Sequence, residues 1–262
     1  MDKHNASVNA PQGATGQAAV HESAAKHVSG GAIYIDDMMA PQGTLHAYVA
    51  LSDIAHGVIS KMSLAAVRNA PGVVDVITRD DVPGVIDIGP VFPGDPLLLG
   101  PGDTVEFHGQ VLFAVAATSY AQARRAARLA TIDYAPLPAC LSIEEGLAAE
   151  SFVRPAHHQR RGDAQSALSG ATHRLQGELQ IGGQEQMYLE GQASLCIPDE
   201  DGGMLVYSST QNPTEGQKLV AEVLGVDLHQ VTVDTRRMGG AFGGKETHAN
   251  PVSYTHSPSP RD

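Results

Sequence analysis

Apolar and polar positions along the chain trace a strand–helix–strand outline that occurs twice in the first half. Leu45-His46-Ala47-Tyr48-Val49-Ala50-Leu51 partly alternates and predicts a strand. Leu64 to Asn69 predicts a short helix behind Ser63, stopped by Pro71-Gly72, and Val73 to Ile77 predicts the returning strand. After a Pro- and Gly-rich crossing at residues 83–103 the outline recurs. Val111 to Ala117 is apolar throughout, the pattern of a strand covered on both faces. Ser119 and Gln122 have capping-box spacing for a helix that carries Ala123, Ala127 and Ala130 on one side and Arg124, Arg125 and Arg128 elsewhere. Thr131 to Tyr134 closes the unit as a strand.

Pro136-Leu137-Pro138 marks a linker, and the second half then reads as α+β. Ser142 and Glu145 form a second capping box for a helix from Glu144 to Ala149, and Asp163 caps one from Ala164 to Leu168. Strands are expected at Arg174–Leu179, Ala193–Ile197 and Met204–Ser208. Asn212 with Pro213 at the first helical position starts a helix that buries Leu219, Val220, Val223 and Leu224 and ends at Gly225. Val231 to Asp234 is the last strand. Neither GxGxxG nor the repeated βαβ of a dinucleotide-binding fold occurs.

Composition narrows the functional classes. Seventeen basic against 29 acidic residues leave a formal net charge of −12, which argues against a nucleic-acid or anionic-membrane surface. No apolar run approaches the roughly 20 residues of a membrane span. The first residues are polar, with no signal-peptide apolar core. Cys140 and Cys196 lie far apart and read as small apolar residues in a reducing cytoplasm, not as ligands of zinc or of an iron–sulfur cluster. None of the twelve histidines has metal-motif spacing, and His157-His158 reads as a solvated loop.

Two stretches carry candidate chemistry. Arg236-Arg237-Met238-Gly239-Gly240-Ala241-Phe242-Gly243-Gly244-Lys245-Glu246 follows the last strand directly. Glycines let a backbone approach a ligand closely, and a strand that breaks into such a loop offers free N–H groups to an anion or an oxo group. Gly239 and Gly244-Lys245 have P-loop spacing, but Glu246 stands where that loop needs Ser or Thr, and Pro251 follows where it needs a helix. The other stretch is Ile181-Gly182-Gly183-Gln184-Glu185-Gln186-Met187-Tyr188-Leu189-Glu190, whose amides and acids must find partners wherever they are buried.

Taken together, RMGGAFGGKE, IGGQEQMYLE, Gln211-Asn212-Pro213 and GxIYIDD (Gly31 to Asp37) resemble the molybdenum hydroxylase family. More narrowly, the chain resembles the N-terminal part of the molybdenum-binding subunit of bacterial-type xanthine dehydrogenases, over roughly residues 25–250. The fold this implies is α+β: a hammerhead α/β domain followed by the truncated start of a molybdopterin-binding domain. The expected division is a flexible arm at 1–24, the hammerhead at 25–135 and the start of the molybdopterin-binding domain at 136–250. Residues 251–262 lack any apolar period and are expected to be a non-native tail, of the kind a frameshift would append.

The resemblance also implies roles. Gln184 would hydrogen-bond the molybdenum oxo ligand, and Gly240, Ala241, Phe242, Gly243 and Gly244 would meet the molybdopterin. Gln184 and Phe242 would thus attend the metal without ligating it through a side chain. Glu246 would hydrogen-bond a purine ring. Gln186 and Met187 replace the family's usual His and Phe, and Ala241 matches the GGAFGG of aldehyde oxidases, while Glu246 matches the purine enzymes. The implied reaction is hydroxylation of a purine carbon in hypoxanthine or xanthine, with electrons leaving for NAD through iron–sulfur clusters and FAD on a separate partner subunit. A cytoplasmic hetero-oligomer follows. The family's base glutamate is absent from this chain, so the chain alone is expected not to turn over. An aldehyde-oxidising member and a non-catalytic scaffold that keeps the hammerhead are the alternatives.

Overall fold

The computed structural model describes residue 18 and residues 20–89 and 92–246. The expected tail from Pro251 and most of the expected N-terminal arm lie outside these residues. A short helix, α1 (Ala24–Ser29), leads into strands β1 (His46–Leu51) and β2 (Gly57–Ser63). Helix α2 (Ala65–Arg68), strands β3 (Val73–Ile77), β4 (Thr104–Val105) and β5 (Val111–Ala117), helix α3 (Tyr120–Ala127) and strand β6 (Thr131–Pro136) complete the first unit. Two three-stranded sheets result, ordered β1-β5-β3 and β4-β2-β6, with every pairing antiparallel.

β5 is central because its apolar run has neighbours on every side: Leu112, Phe113, Val115 and Ala117 are fully buried. They join Ile59 and Val105 of the other sheet, Val67 of α2 and Ala123 and Ala126 of α3 in one core. Ser119 Oγ accepts from the Gln122 amide, as its spacing predicts, while the Gln122 side chain accepts from the hydroxyls of Thr118 and Ser119. β2 is a strand that the hydrophobic pattern does not announce. Its register with β6 slips between Ile59 and Lys61, and such a bulge breaks the period of two that identifies strands. Ser63 is therefore the last residue of β2 and does not cap α2; Leu64 holds the cap position without a side-chain bond.

The second unit holds helices α4 (Ile143–Ala148) and α5 (Ala164–Gly170), strands β7 (Ser194–Pro198) and β8 (Met204–Ser208), helix α6 (Pro213–Leu224) and strand β9 (Val231–Asp234). Both caps form: Ser142 and Glu145 make their reciprocal box, and Asp163 accepts from the Ser166 amide. The expected strand at Arg174–Leu179 is not formed. That stretch has no ladder partner among the described residues, and Leu175 and Leu179 face solvent. Cys140 is exposed in the linker, against expectation, and Cys196 packs half-buried beside the second core.

The sheet order is β7-β8-β9, antiparallel and then parallel. Parallel neighbours need a crossover, and α6 supplies it, packing Val220 and Ala221 on Val206 and Val231. Asn212 accepts from the Glu215 amide, Pro213 opens the helix and Gly225 closes it at φ 66°, all as read from the sequence.

The two units meet where the Gly84 and Val85 amides donate to the last carbonyls of α6, those of Val223 and Glu222, at 3.0 and 2.8 Å. A Cβ on Gly84 would lie 2.0 Å from the Glu222 carbonyl oxygen. Gly84→Ala is therefore expected to cost about 1–3 kcal/mol by overpacking. Gly146→Ala, in α4 with nothing nearer than 4.0 Å, should be neutral or stabilising. Urea unfolding of both variants checks this; equal midpoints would mean the junction yields freely.

Candidate functional site

Strand β9 delivers the chain into the glycine loop, with Thr235 Oγ1 donating to the Ser208 carbonyl of β8. Gly239 is the first fixed point. Its amide donates to Glu190 Oε2 at 2.7 Å and its carbonyl accepts from the Glu190 amide at 3.1 Å. A Cβ there would lie 2.4 Å from Glu190 Cβ, so only glycine fits. Gly244 is the second fixed point: its amide donates to the Ala241 carbonyl, and a Cβ would lie 2.7 Å from the Tyr188 ring. Gln211 Oε1 accepts from the amides of Gly243 and Lys245, and the Lys245 carbonyl accepts from Thr210 Oγ1 and the Gln211 amide.

Between these points the backbone turns outward. Gly240 and Gly243 have φ of 96° and 90°, and Phe242, with a side chain, also sits at 52°. A non-glycine residue there costs roughly 1–2 kcal/mol, and such strain concentrates where a loop has a task. Only three non-glycine residues with positive φ occur among the described residues, and two of them, Met187 and Phe242, fall in the two candidate stretches. The amides of Gly240, Ala241 and Phe242 find no acceptor among the described residues. Ala241 is buried while the Phe242 ring is three-quarters exposed. Successive backbone N–H groups left without an acceptor among the described residues are the donors that an electronegative atom can take.

The second stretch divides into two parts. Gln184 is exposed and donates only to its own neighbours, the carbonyls of Gly182 and Gly183; it makes no hydrogen bond to the glycine loop. The later part of the stretch forms the wall of the loop. Tyr188 Oη accepts from Gln192 Nε2, which also donates to the Gly244 carbonyl. Glu190 Oε2 meets Lys245 Nζ at 3.3 Å and Ser209 Oγ at 2.6 Å. Lys245 is fully buried, so it neither pairs with Glu246 nor points toward a phosphate, which disposes of the P-loop reading. Burial pushes the Lys245 ammonium below its ordinary range against the pull of Glu190, and burial pushes the Tyr188 phenol up.

Glu190 and Ser209 are site residues that motif spacing does not single out, and it casts Lys245 only as a phosphate-binding lysine. A lysine and a glutamate in two glycine-rich stretches 55 residues apart are the one available signal. Glu246 is exposed, with no bond to another described residue. Arg237 reaches back to the N-terminal segment, donating to the Ile33 carbonyl and Ser23 Oγ. No group of three His, Cys, Asp or Glu side chains among the described residues could ligate a metal directly. Three amides without an acceptor among the described residues, around left-handed Phe242, do fit a cofactor held through its electronegative atoms. Clefts of about 420 and 510 Å³ lie in the first unit, lined by Arg68 and Arg79 and by Asp53 and Tyr134, away from this loop.

Comparison with known proteins bears on both units. Residues 29–138 match the sequence model described as the aldehyde oxidase and xanthine dehydrogenase a/b hammerhead domain, and residues 148–256 match that of the molybdopterin cofactor-binding domain. Xanthine dehydrogenase of Dictyostelium discoideum is 38% identical over 229 residues, 87% of this chain and 17% of that protein. Aldehyde oxidase 3 of Rattus norvegicus is 37% identical over 236 residues, 89% of this chain and again 17% of that protein. The chain thus spans about one sixth of the length of these relatives. Quinoline 2-oxidoreductase from Pseudomonas putida 86 superposes with a TM-score of 0.76 at 22% identity, over 90% of this chain and 32% of that one, a likeness of fold.

Proposed function

The chain belongs to the family of aldehyde oxidases and xanthine dehydrogenases, and we propose that its glycine loop is the cofactor cradle of a purine-hydroxylating member. The observation that carries the proposal is the run of unpaired amides at Gly240, Ala241 and Phe242. These three, with Gly243 and Gly244 behind them, would hold the molybdenum–molybdopterin group, and Gln184 would complete the set of donors. When bound, that group supplies the redox chemistry of carbon hydroxylation; the chain supplies position and polarisation. Phe242 presents an exposed ring face beside the amides, a surface against which a flat heterocycle can lie. Glu246, whose carboxylate has no bond among the described residues, lies one residue beyond the loop and would accept from ring N–H groups. Iron–sulfur clusters and FAD would reside on a partner subunit and pass electrons to NAD.

One observation favours an aldehyde-oxidising member instead: Ala241 occupies the loop position where purine enzymes carry glycine, and its methyl is buried beside the amide run. The polypeptide that carries this sequence, produced with molybdenum, tests both readings. Molybdenum and pterin in equal amounts, with xanthine turned over in preference to an aromatic aldehyde, is the expected result. Aldehyde preference would move the assignment to the aldehyde oxidases. A folded protein free of metal and pterin would make it a scaffold.

A further inference from the structure

We propose that Lys245, Glu190 and Ser209 form a buried latch that positions the amides of the glycine loop. The inference rests on the loop being a cofactor cradle, but its mechanism lies wholly within this chain. One carboxylate oxygen, Glu190 Oε2, accepts from the Gly239 amide at 2.7 Å, from Ser209 Oγ at 2.6 Å and from Lys245 Nζ at 3.3 Å. Lys245 Nζ also donates to Ser209 Oγ at 2.7 Å and lies 4.7 Å from the centre of the Tyr188 ring. Gly239 and Lys245 are the two feet of the loop, and the unpaired amides stand between them. The same oxygen therefore ties both feet to one point.

Such a device is an unusual way to obtain stability alone. Lys245 is fully buried and the Glu190 side chain is only 9% exposed, and well-packed apolar residues of similar volume often serve as well or better in such places. What a charge pair adds is direction: donors and acceptors fix where the backbone goes, as packing alone does not. Glu190 Oε1 is buried with no hydrogen-bond partner, so the three bonds to Oε2 determine how this carboxylate sits. The loop gains rigidity at the residues whose N–H groups must point together, including left-handed Phe242. Lys245, Glu190 and Ser209 are thus positioning residues and touch no substrate.

Backbone ¹⁵N relaxation of the chain without cofactor tests the latch. In the parent protein the amides of Gly240, Ala241 and Phe242 should be as rigid as those of β8, with order parameters of about 0.85. Lys245→Met, which keeps the length and removes the charge, should drop all three below about 0.6 and leave β8 unchanged. Ser209→Ala should drop them in the same direction, and it decides the matter if Lys245→Met does not fold. Val220→Ala, in the core of the same unit, is the control for lost stability. Order parameters that stay at parental values, or that fall equally in Val220→Ala, would overturn the latch. A chain that never takes up molybdopterin could still pass, so failure of the cofactor reading shows separately.

Discussion

Glu190→Ala should destabilise the second unit by about 3–5 kcal/mol, the cost of leaving one partner of a buried ion pair uncompensated. Among the described residues Lys245 has no second carboxylate in bonding range: its ammonium contacts are Glu190, Ser209 and the Tyr188 ring. Removing Glu190 also strips the acceptor from the Gly239 amide and from Ser209 Oγ. The sign of the pH dependence separates this mechanism from simple loss of packing. Lys245 is pushed below its ordinary value of 10.5 by burial, opposed by Glu190 and then by Asp36. Between the depressed folded value and 10.5 the unfolded chain binds more protons, so stability rises with pH through that window. Without Glu190 the folded value falls further. The deficit of Glu190→Ala should therefore be larger at about pH 7 than at about pH 10, closer to the point where the buried amine loses its proton. Urea unfolding of variant and parent at the two pH values measures it. A deficit below about 1 kcal/mol, or one independent of pH, would mean that the lysine reaches water.

Elements whose signal is local could be read from the sequence. Ser142, Asp163, Asn212 and Gly225 announce helix ends because capping depends on one side chain or one backbone angle, and each does what its type predicts. β5 is readable because a strand buried on both faces needs no alternation. β2 is hidden by its bulge, and Arg174–Leu179 misleads because an alternating pattern cannot say whether a partner edge exists. The same limit applies to the loop. Its glycines stand out because close approach and positive φ demand them, whereas the role of Lys245 depends on a glutamate 55 residues earlier that only the fold brings near. Gln211 reads from the sequence as part of a family-like segment and a helix start, yet it is its side chain, accepting two loop amides, that ties it to the loop. Motif residues mark where the loop is; their partners, just past β8 and on the stretch after Tyr188, decide how it is held.

Glu246→Ala and Glu246→Val, made in the polypeptide that carries this sequence, are expected to lower kcat/KM for xanthine by roughly 10–150-fold, with aldehydes affected less. The basis is the worth of a hydrogen bond to a charged group, about 1.5–3 kcal/mol, lost together with the satisfaction of a desolvated ring N–H. A surface carboxylate paired with its neighbouring lysine would select no substrate, and the fold removes that pairing: Lys245 is turned inward to Glu190, leaving Glu246 exposed and without a bond among the described residues. A carboxylate without a bond among the described residues, a few residues past three such amides, has two uses, to read a substrate or to hold the loop. The substitutions distinguish them. If Glu246 reads a purine, the loss appears on xanthine, the Val variant is no better than Ala, and cofactor content is unchanged. If it supports the loop, purine and aldehyde turnover fall by the same factor and molybdenum content falls with them. Equal losses on the two substrates would therefore sink the assignment of Glu246 as the residue that selects purines.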